Sequence, residues 1–235
     1  MTQPFGTMAN RDRYLDIKTL LATETPVIVD GGANDGSTTA HLLGQYQSPA
    51  IHAFEPIPEL VTHLERRFNG DPRVVIYGMA LGAEARMVKF NIVNTLVASS
   101  ILTPSALKKS YHGDNVAVRE VVEVPQVRLD DVMGMRQIDL LKLDLQGYEL
   151  EAFKGALSTL ERTRVILTEV EFAPLYDDQP LFAEIDLFLR AQGYRLFNLY
   201  DLWSHPYGQL TSGDAIYLNS RFFEIDATRK PYGPR

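Results

Sequence analysis

Four acidic residues that each follow a run of apolar residues have the types and positions to do chemistry. They are Asp30, Glu55, Asp144 and Glu169. Each run is predicted to be a strand of a parallel sheet, and such sheets bind ligands beyond the carboxyl ends of their strands. We therefore expect the four carboxylates to converge on one crevice, where a ligand or cation must separate their charges. The alternative for each acid is a structural cap on a neighbouring helix.

The first of these acids opens a turn made of small residues. Residues 27–29 are β-branched, as in a buried parallel strand. Three glycines and one asparagine follow Asp30 within six residues: Gly31, Gly32, Asn34 and Gly36. Ser37 is then predicted to cap a helix. Because small residues let a ligand approach the backbone and the first N–H groups of a helix face it, this turn predicts a ligand site. An ordinary strand–turn–helix has the same pattern.

The spacing of the glycines argues against two common nucleotide sites. A dinucleotide site needs Gly-x-Gly-x-x-Gly, which these glycines do not supply, and a P-loop needs a lysine, whereas none occurs between Lys18 and Lys89. The pattern that the chain does contain is Asp-x-Gly-x-x-x-Gly, from Asp30 to Gly36, and Glu55 follows the next apolar run. This acid can accept hydrogen bonds from both ribose hydroxyls of a nucleoside. A nucleoside without a pyrophosphate fits S-adenosylmethionine (SAM); the alternative is that Glu55 and Pro56 merely end a strand.

Four motifs occur in an order that is similar to that of a known family. They are Val-Asp-Gly-Gly-Ala-Asn-Asp-Gly, Ala-Phe-Glu-Pro, Ala-Leu-Gly and Leu-Lys-Leu-Asp-Leu-Gln-Gly-Tyr-Glu. From about Val27 to Asn219 the chain resembles FkbM-type SAM-dependent methyltransferases. The resemblance implies a class I Rossmann-like fold, SAM as methyl donor, and usually O-methylation of a sugar or natural-product hydroxyl. This chain departs from the family at Gln146, where the family commonly has the Glu of Asp-x-Glu-Gly.

The resemblance also indicates which residues would bind the cofactor. Ala80 and Leu81 lie where a class I methyltransferase holds the adenine, although a core turn has the same sequence signature. Ser100, from the pair Ser99-Ser100, resembles a family feature near the methionine moiety or the acceptor, and solvated loop serines are the alternative. The complete expected cofactor set is Asp30, Gly32, Ala33, Asn34, Gly36, Glu55, Pro56, Ala80, Leu81, Ser100 and Asp144.

The candidates for the chemistry of methyl transfer are Asp144, Glu169 and His205. Transfer from sulfonium to oxygen is an in-line displacement, so the enzyme must position the acceptor hydroxyl and take or share its proton. Lys142 is expected on the same side as Asp144, where it neutralises part of the charge. By analogy with macrolide and catechol methyltransferases, Asp144, Glu169 and Glu171 would alternatively bind Mg²⁺, which lowers the acceptor's pKa.

These residues require an α/β fold with a mostly parallel central sheet. Apolar runs predict its strands at 27–29, 50–54, 74–77, 138–143, 165–170, 194–199 and 215–219. The last strand is expected to be antiparallel. A leading helix is predicted within residues 1–25, and a helix over 149–160 follows the Asp144 turn. Residues 86–127 are predicted to form a β insertion with a long lid-like loop.

The segment between the last two predicted strands is aromatic. It contains Tyr200, Trp203, His205, Pro206 and Tyr207. We expect a loop whose aromatic side chains line an acceptor pocket or pack against the edge of the domain. A single domain over residues 1–235 accommodates all of these elements.

Composition narrows the class of protein. The chain has 235 residues, 45% of them hydrophobic, no cysteine and a formal net charge of −7. The absence of cysteine excludes disulfides and a Cys nucleophile, and the negative charge disfavours nucleic acid or an anionic membrane as a partner. There is no apolar run of transmembrane length and no signal core. We expect a cytoplasmic enzyme that acts on a small-molecule hydroxyl acceptor, with a homodimer as a further expectation. The alternative is a module that binds SAM or S-adenosylhomocysteine (SAH) without catalysis, as a partner or scaffold protein.

Overall fold

The computed structural model describes residues 11–224, so the expectations for residues 1–10 and 225–235 lie outside the described residues. The strands are β1 (Val27–Gly31), β2 (Ala50–Phe54), β3 (Val74–Tyr77), β4 (Ala80–Leu81), β5 (Arg86–Val93), β6 (Val118–Val127), β7 (Ile138–Leu143), β8 (Thr163–Glu171), β9 (Tyr194–Ser204) and β10 (Leu210–Asn219). The α-helices are α1 (Arg13–Leu21), α2 (Ser37–Gln45), α3 (Pro58–Arg67), α4 (Ala106–His112), α5 (Leu129–Met133), α6 (Glu149–Lys154), α7 (Leu157–Leu160) and α8 (Phe182–Ala191).

The central sheet brings the predicted site residues to one edge. Its order is β3-β2-β1-β7-β8-β10-β9, with the first five strands parallel and β10 antiparallel to both neighbours. Gly31 at the end of β1 is in register with Phe54 on one side and Leu143 on the other. The turns that follow β1, β2 and β7 therefore leave the sheet side by side. The prediction of a mostly parallel sheet with an antiparallel end is confirmed.

The core lies on both faces of this sheet because side chains alternate along each strand. Ile28 and Leu140 face a buried cluster that includes Ile17 of α1, whereas Val29 and Leu141 belong to the cluster on the opposite face. With both faces covered, these strands are continuously apolar, which is typical of parallel sheets.

The predicted leading helix is present as α1. Its N-cap is Asp12, whose carboxylate accepts hydrogen bonds from the backbone N–H groups of Tyr14 and Leu15 at 2.8 and 3.3 Å. The helix ends at Ala22, which has a left-handed φ of 49°. The first N–H groups of a helix have no partner within the helix, and here the Asp12 side chain accepts hydrogen bonds from two of them. The position at which α1 begins therefore follows from the local sequence.

Two local predictions about helices are wrong. Ser37 does not cap α2: the N-cap is Gly36, and Asp35 accepts hydrogen bonds from both the backbone N–H and the hydroxyl of Ser37 at 2.9 and 2.8 Å. The predicted helix over 149–160 is divided into α6 and α7. The break includes Gly155, which packs so closely against Gly82 that a Cβ would lie 2.0 Å from the Gly82 carbonyl oxygen.

The β insertion is confirmed, but its loop is more ordered than expected. Strands β5 and β6 pair antiparallel, and β4 extends them to a separate three-stranded sheet. The segment between them contains α4 and two short 3-10 helices, Leu96–Ala98 and Gly113–Val116. The aromatic segment also differs, because β9 continues to Ser204 and therefore includes Tyr200 and Trp203. None of the helices in residues 11–224 is both long and apolar enough to cross a membrane.

Candidate active site at the carboxyl end of the sheet

A cavity of about 400 Å³ lies at the carboxyl ends of β1, β2 and β7. The insertion covers one side of it. The lining consists of residues 32–35, 37–38, 54–57, 79–81, 142, 144–146 and 148, together with Phe90, Leu96, Val97, Ser99 and Ile101. The glycine turn, the residue after β2 and the residue after β7 thus share one cavity, as the sequence predicts.

The glycine turn is held between its neighbours by backbone hydrogen bonds. The N–H groups of Gly32 and Ala33 both donate to the Phe54 carbonyl, at 3.0 and 2.9 Å, and the Asp144 N–H donates to Gly31 at 3.1 Å. Gly32 has a φ of +74°, and a Cβ there would lie 1.9 Å from the Asp144 carbonyl oxygen. Only glycine fits this position, because any side chain meets backbone.

Glu55 closes the other side of the turn. It is 4% exposed, and its two carboxylate oxygens accept hydrogen bonds from the N–H groups of Asn34 and Ile57 at 2.9 and 2.8 Å. Burial raises the pKa of Glu55 to about 7, against the opposing effect of the two backbone donors. Each oxygen retains a second lone pair, so the carboxylate can still accept two hydrogen bonds from a ligand in the cavity.

Asp30 lies behind the turn and does not line the cavity. It is fully buried, accepts a hydrogen bond from the Thr39 hydroxyl at 2.7 Å, and pairs with Lys142 at 3.0 Å. The Lys142 ammonium also donates to the carbonyls of Gly31 and Gly32, at 3.2 and 2.9 Å. Although burial alone lowers the pKa of Lys142, the charge of Asp30 raises it above its usual value. The pair therefore supports the turn, with Lys142 lining the cavity and Asp30 behind it.

The two serines of the insertion have different positions. Ser99 lines the cavity, and its hydroxyl oxygen accepts a hydrogen bond from the Val93 N–H at 3.1 Å. Ser100, the predicted cofactor residue, does not line the cavity; its hydroxyl donates to the Gln146 carbonyl at 2.9 Å. Ser100 thus holds the backbone of the turn after β7, while Ser99 is the serine that a ligand can reach.

Asp144 faces the cavity from the end of β7, next to a second carboxylate. The side-chain nitrogen of Gln146 donates to Asp144 Oδ1 at 2.9 Å and to Glu169 Oε2 at 2.8 Å. Burial, and then the charge of Asp144, raise the pKa of Glu169 well above its usual range. One amide group thus joins the two acids that the sequence places at the ends of β7 and β8.

A third carboxylate completes this acidic cluster, and it is not the one predicted. Asp144, Glu149 and Glu169 have carboxylate oxygens within 4.8 Å of one another. Glu149 is fully buried and reaches back to accept hydrogen bonds from the N–H groups of Leu145 and Gly147, at 2.6 and 3.3 Å. Glu171, which the sequence analysis expects as the third ligand, lies outside this group. The third member of the group is Glu149, which begins α6.

A buried lysine lies behind the cluster. The Lys108 ammonium, 5% exposed on α4, donates to Gln146 Oε1 at 3.3 Å and to the hydroxyl of Tyr176. The Tyr176 hydroxyl is also 2.7 Å from Gln146 Oε1. Burial lowers the pKa of Lys108 to about 8, although the surrounding carboxylates act in the opposite direction.

With this geometry established, we compared the chain with known proteins. A family model described as "Methyltransferase FkbM domain" matches residues 30–196, which is more than half of the chain. The chain belongs to the FkbM methyltransferase family. The matched range begins at Asp30 and extends past Glu169, so it contains the whole cavity and the acidic cluster.

Two curated proteins illustrate this FkbM relationship. The chain is 30% identical over 185 residues to 2-O-methyltransferase NoeI of Sinorhizobium fredii (strain NBRC 101917 / NGR234), and the match covers 74% of this chain and 75% of NoeI. It is 30% identical over 169 residues to Methyltransferase sdnD of Sordaria araneosa, with 61% and 64% of the two chains covered. In sdnD the match thus falls just short of two thirds of the relative's length.

A solved FkbM structure has the same fold. The crystal structure of Methyltransferase FkbM from Methylobacillus flagellatus KT matches with a TM-score of 0.55 and 16% identity, over 83% of this chain and 44% of that chain. The present chain therefore corresponds to less than half of that protein. At this identity the likeness concerns the fold alone, which is the class I methyltransferase fold that the sequence predicts.

Within this FkbM-family fold, the predicted site residues fall into two groups, according to whether they line the cavity. Those that line the cavity are Gly32, Ala33, Asn34, Glu55, Pro56, Ala80, Leu81 and Asp144. Those that do not are Asp30, Gly36, Ser100, Glu169, Glu171 and His205. His205 lies in the β9–β10 hairpin, where its ring stacks on Tyr111 with centroids 4.0 Å apart.

Three residues around the acidic cluster do not appear among the residues predicted from the sequence. Glu149 was visible as the last residue of the quoted motif, but its contact with the Asp144 turn depends on where α6 begins. Lys108 and Tyr176 carried no signal at all, because they come from the insertion and from the loop after β8, and only the fold brings them to Gln146.

Proposed function

We propose that this protein is a SAM-dependent O-methyltransferase that acts on a hydroxyl group of a sugar or another natural-product small molecule. The observation that carries the proposal is a single cavity that joins the glycine turn and Glu55 at one end to Asp144 at the other. Family membership supports methyl transfer, and the name of NoeI, a 2-O-methyltransferase, supports oxygen as the acceptor atom.

The residues of the cavity suit SAM, which supplies an electrophilic methyl group when bound. The free lone pairs of Glu55 are placed to accept hydrogen bonds from the two ribose hydroxyls. Gly32 lines the cavity, and the absence of a Cβ lets the glycine turn pack directly against the backbone of Asp144. Ala80 and Leu81, 5% and 2% exposed, offer an apolar wall for the adenine. Ser99 and Asp144 remain for the polar end of the cofactor and for the acceptor.

In the proposed reaction Asp144 accepts the proton of the acceptor hydroxyl as the oxygen attacks. Of the three clustered acids, Asp144 is the one that lines the cavity. Glu169 lies behind it, and burial together with the charge of Asp144 favours the protonated form of Glu169. Gln146 holds Asp144 by a hydrogen bond of 2.9 Å, which limits the directions in which its carboxylate can point. An oriented base contributes to rate through both proton transfer and positioning.

The acceptor is proposed only as a class of small molecule. The formal net charge of −7 supports an uncharged or cationic molecule more than nucleic acid. The expectations of a cytoplasmic location and of a homodimer stay predictions.

The proposal is tested in two steps. Calorimetric titration with SAM, SAH and NAD measures which cofactor binds, and we expect binding of SAM and SAH but not of NAD. A panel of sugar and polyketide-like hydroxyl acceptors is then incubated with SAM, and a gain of one methyl group is detected by mass. SAH binding without turnover on any acceptor would favour the non-catalytic module, and no nucleoside binding at all would contradict both functions.

A further inference from the structure

The backbone of Gln146 is held in an unusual conformation by hydrogen bonds from neighbouring segments. Gln146 has a left-handed φ of 54°, which is uncommon for a residue with a side chain. The backbone around it is held by the hydrogen bond from Ser100 to the Gln146 carbonyl at 2.9 Å and by those from the flanking N–H groups to Glu149. Such an unusual conformation persists only where the surroundings require it.

All hydrogen-bonding positions of the Gln146 amide face partners. Its nitrogen donates to Asp144 at 2.9 Å and to Glu169 at 2.8 Å, and its oxygen faces the Tyr176 hydroxyl at 2.7 Å and the Lys108 ammonium at 3.3 Å. A carboxamide has two N–H donors and one oxygen with two lone pairs, so each of these positions faces a partner. The single proton of the Tyr176 hydroxyl is shared between Gln146 Oε1 and the Ala98 carbonyl, which lies at 2.8 Å. The assignment of nitrogen and oxygen follows from Lys108, because an ammonium can only donate.

The amide nitrogen of Gln146 lies between Asp144 and Glu169, in the position that a bridging cation would take. Two carboxylates that face each other repel unless a proton, a cation or a hydrogen-bond donor lies between them. Mg²⁺ requires oxygen ligands at about 2.0–2.1 Å in octahedral geometry, whereas the two acids here are joined through a nitrogen at 2.9 and 2.8 Å. The Gln146 nitrogen donates to one oxygen of each acid and so occupies the position between Asp144 and Glu169 that a bridging ion would take.

We propose that Gln146 is a positioning residue that joins Asp144 to Glu169 in place of a divalent cation, so that methyl transfer by this protein is independent of added metal. The statement about transfer rests on the proposed function, but the statement about cation binding does not. Replacing the amide by a carboxylate removes both donors and adds an oxygen ligand to the group of Asp144, Glu149 and Glu169. The variant Gln146→Glu should therefore acquire a divalent cation site.

Cation binding is tested on the full chain with Mn²⁺ as the probe. Electron paramagnetic resonance measures free Mn²⁺ during titration, and thermal unfolding measures the effect of Mg²⁺ on Tm. We expect no saturable Mn²⁺ binding and no Mg²⁺ effect on Tm for the wild type, and one bound Mn²⁺ with a higher Tm in Mg²⁺ for Gln146→Glu. Gln192→Glu, which adds the same charge at an exposed position at the end of α8, is the matched control and should behave as the wild type.

Turnover is then measured after exhaustive EDTA treatment and again with Mg²⁺ restored. The wild type should keep its full rate in EDTA, whereas Gln146→Glu should depend on Mg²⁺. Gln146→Met keeps the length of the side chain but makes no hydrogen bonds, and we expect it to lose at least about tenfold in turnover because Asp144 is no longer oriented. That loss should not be restored by Mg²⁺, which distinguishes positioning from metal binding.

Two results would overturn the proposal. One is stoichiometric Mn²⁺ binding by the wild type, or wild-type activity lost in EDTA and restored by Mg²⁺. The other is a folded Gln146→Glu variant that binds no Mn²⁺. If Gln146→Glu is unfolded in EDTA, its refolding on addition of Mg²⁺ supports the proposal, and the wild-type titration decides it in any case. If no acceptor is ever methylated, the proposed function fails while the Mn²⁺ titrations still test the inference.

Discussion

The two ends of the cavity hold their carboxylates by donors of different kinds. At the cofactor end, Glu55 accepts hydrogen bonds from two backbone N–H groups, those of Asn34 and Ile57. At the other end, Asp144 and Glu169 accept from the side-chain amide of Gln146, whose oxygen in turn faces Lys108. Both arrangements place an acid at the end of a parallel strand, but only the second depends on the identity of several side chains.

Because the donors differ, we expect substitutions to have different effects at the two ends of the cavity. Backbone donors are present in every sequence, so the cofactor end needs little more than the correct chain path and an acid after β2. The acidic cluster instead requires a matched set of side chains from separate segments. A single substitution there is expected to alter the chemistry without altering the fold, whereas a substitution in the glycine turn should alter the fold itself.

The largest expected effect concerns Asp144. The change Asp144→Asn keeps the size and the hydrogen-bonding capacity of the side chain but removes the proposed base, so turnover should fall by about a hundredfold to ten-thousandfold. SAH affinity should change little, because the cofactor end is untouched. Steady-state kinetics with titration calorimetry measures both, and an affinity loss larger than the rate loss would assign Asp144 to the cofactor instead. A lower Tm in parallel with activity would indicate a structural role.

Gly32→Ala should damage the cofactor end through the backbone. The new Cβ would lie 1.9 Å from the Asp144 carbonyl oxygen at a φ of +74°. We expect the free energy of unfolding to fall by about 2–4 kcal/mol, the range of severe steric strain. The matched control is Gly44→Ala in α2, where nothing lies within 4 Å of the new Cβ and a gain of about 0.5–1 kcal/mol is expected. Urea unfolding of both variants compares the two positions directly, and equal stabilities would contradict the assignment of Gly32.

Glu55→Ala should weaken SAM binding by about 1.5–3 kcal/mol, the loss of hydrogen bonds to a charged group. Since Asp144 is untouched, turnover at saturating SAM should change much less. Calorimetric titration gives the dissociation constants, with Glu59→Ala on the exposed face of α3 as a control that should bind as the wild type. An unchanged dissociation constant in folded Glu55→Ala would remove this residue from the site.

The smallest expected effect is a pH dependence at the cofactor end. Burial raises the pKa of Glu55 to about 7, so a growing fraction of the free protein carries a neutral Glu55 as the pH falls. A neutral carboxyl is a poorer acceptor for two hydroxyls, and SAH affinity should therefore drop by about tenfold from pH 8 to pH 6. The same titrations with Glu55→Gln should show no such dependence. A wild-type affinity that rises toward low pH would contradict the role of the carboxylate.

Much of the fold and half of the site could be predicted from local patterns. Glu55 and Gly32 each act next to the strand that precedes them, and short runs of apolar residues are sufficient to locate those strands. The prediction for Ser37 was wrong because the helix begins one residue earlier, with Gly36 as the N-cap, and the Ser37 hydroxyl donates to Asp35 instead of accepting from the first turn of the helix. Ser100 and Ser99 are adjacent, and no pattern in the sequence indicates which of the two faces a cavity.

The sequence by itself determined the α/β class, the order of the motifs, the glycine turn and the acids at the carboxyl ends of β1, β2, β7 and β8. These features depend on runs of apolar residues and on contacts between residues close in the chain. Only the tertiary structure decided that Glu149 rather than Glu171 joins Asp144 and Glu169, and that Gln146 bridges two acids under Lys108. The partners of Gln146 in this cluster lie up to 38 residues away in sequence. Hydrogen bonds at such separations are set by how the elements pack, and packing leaves no periodic pattern in the sequence.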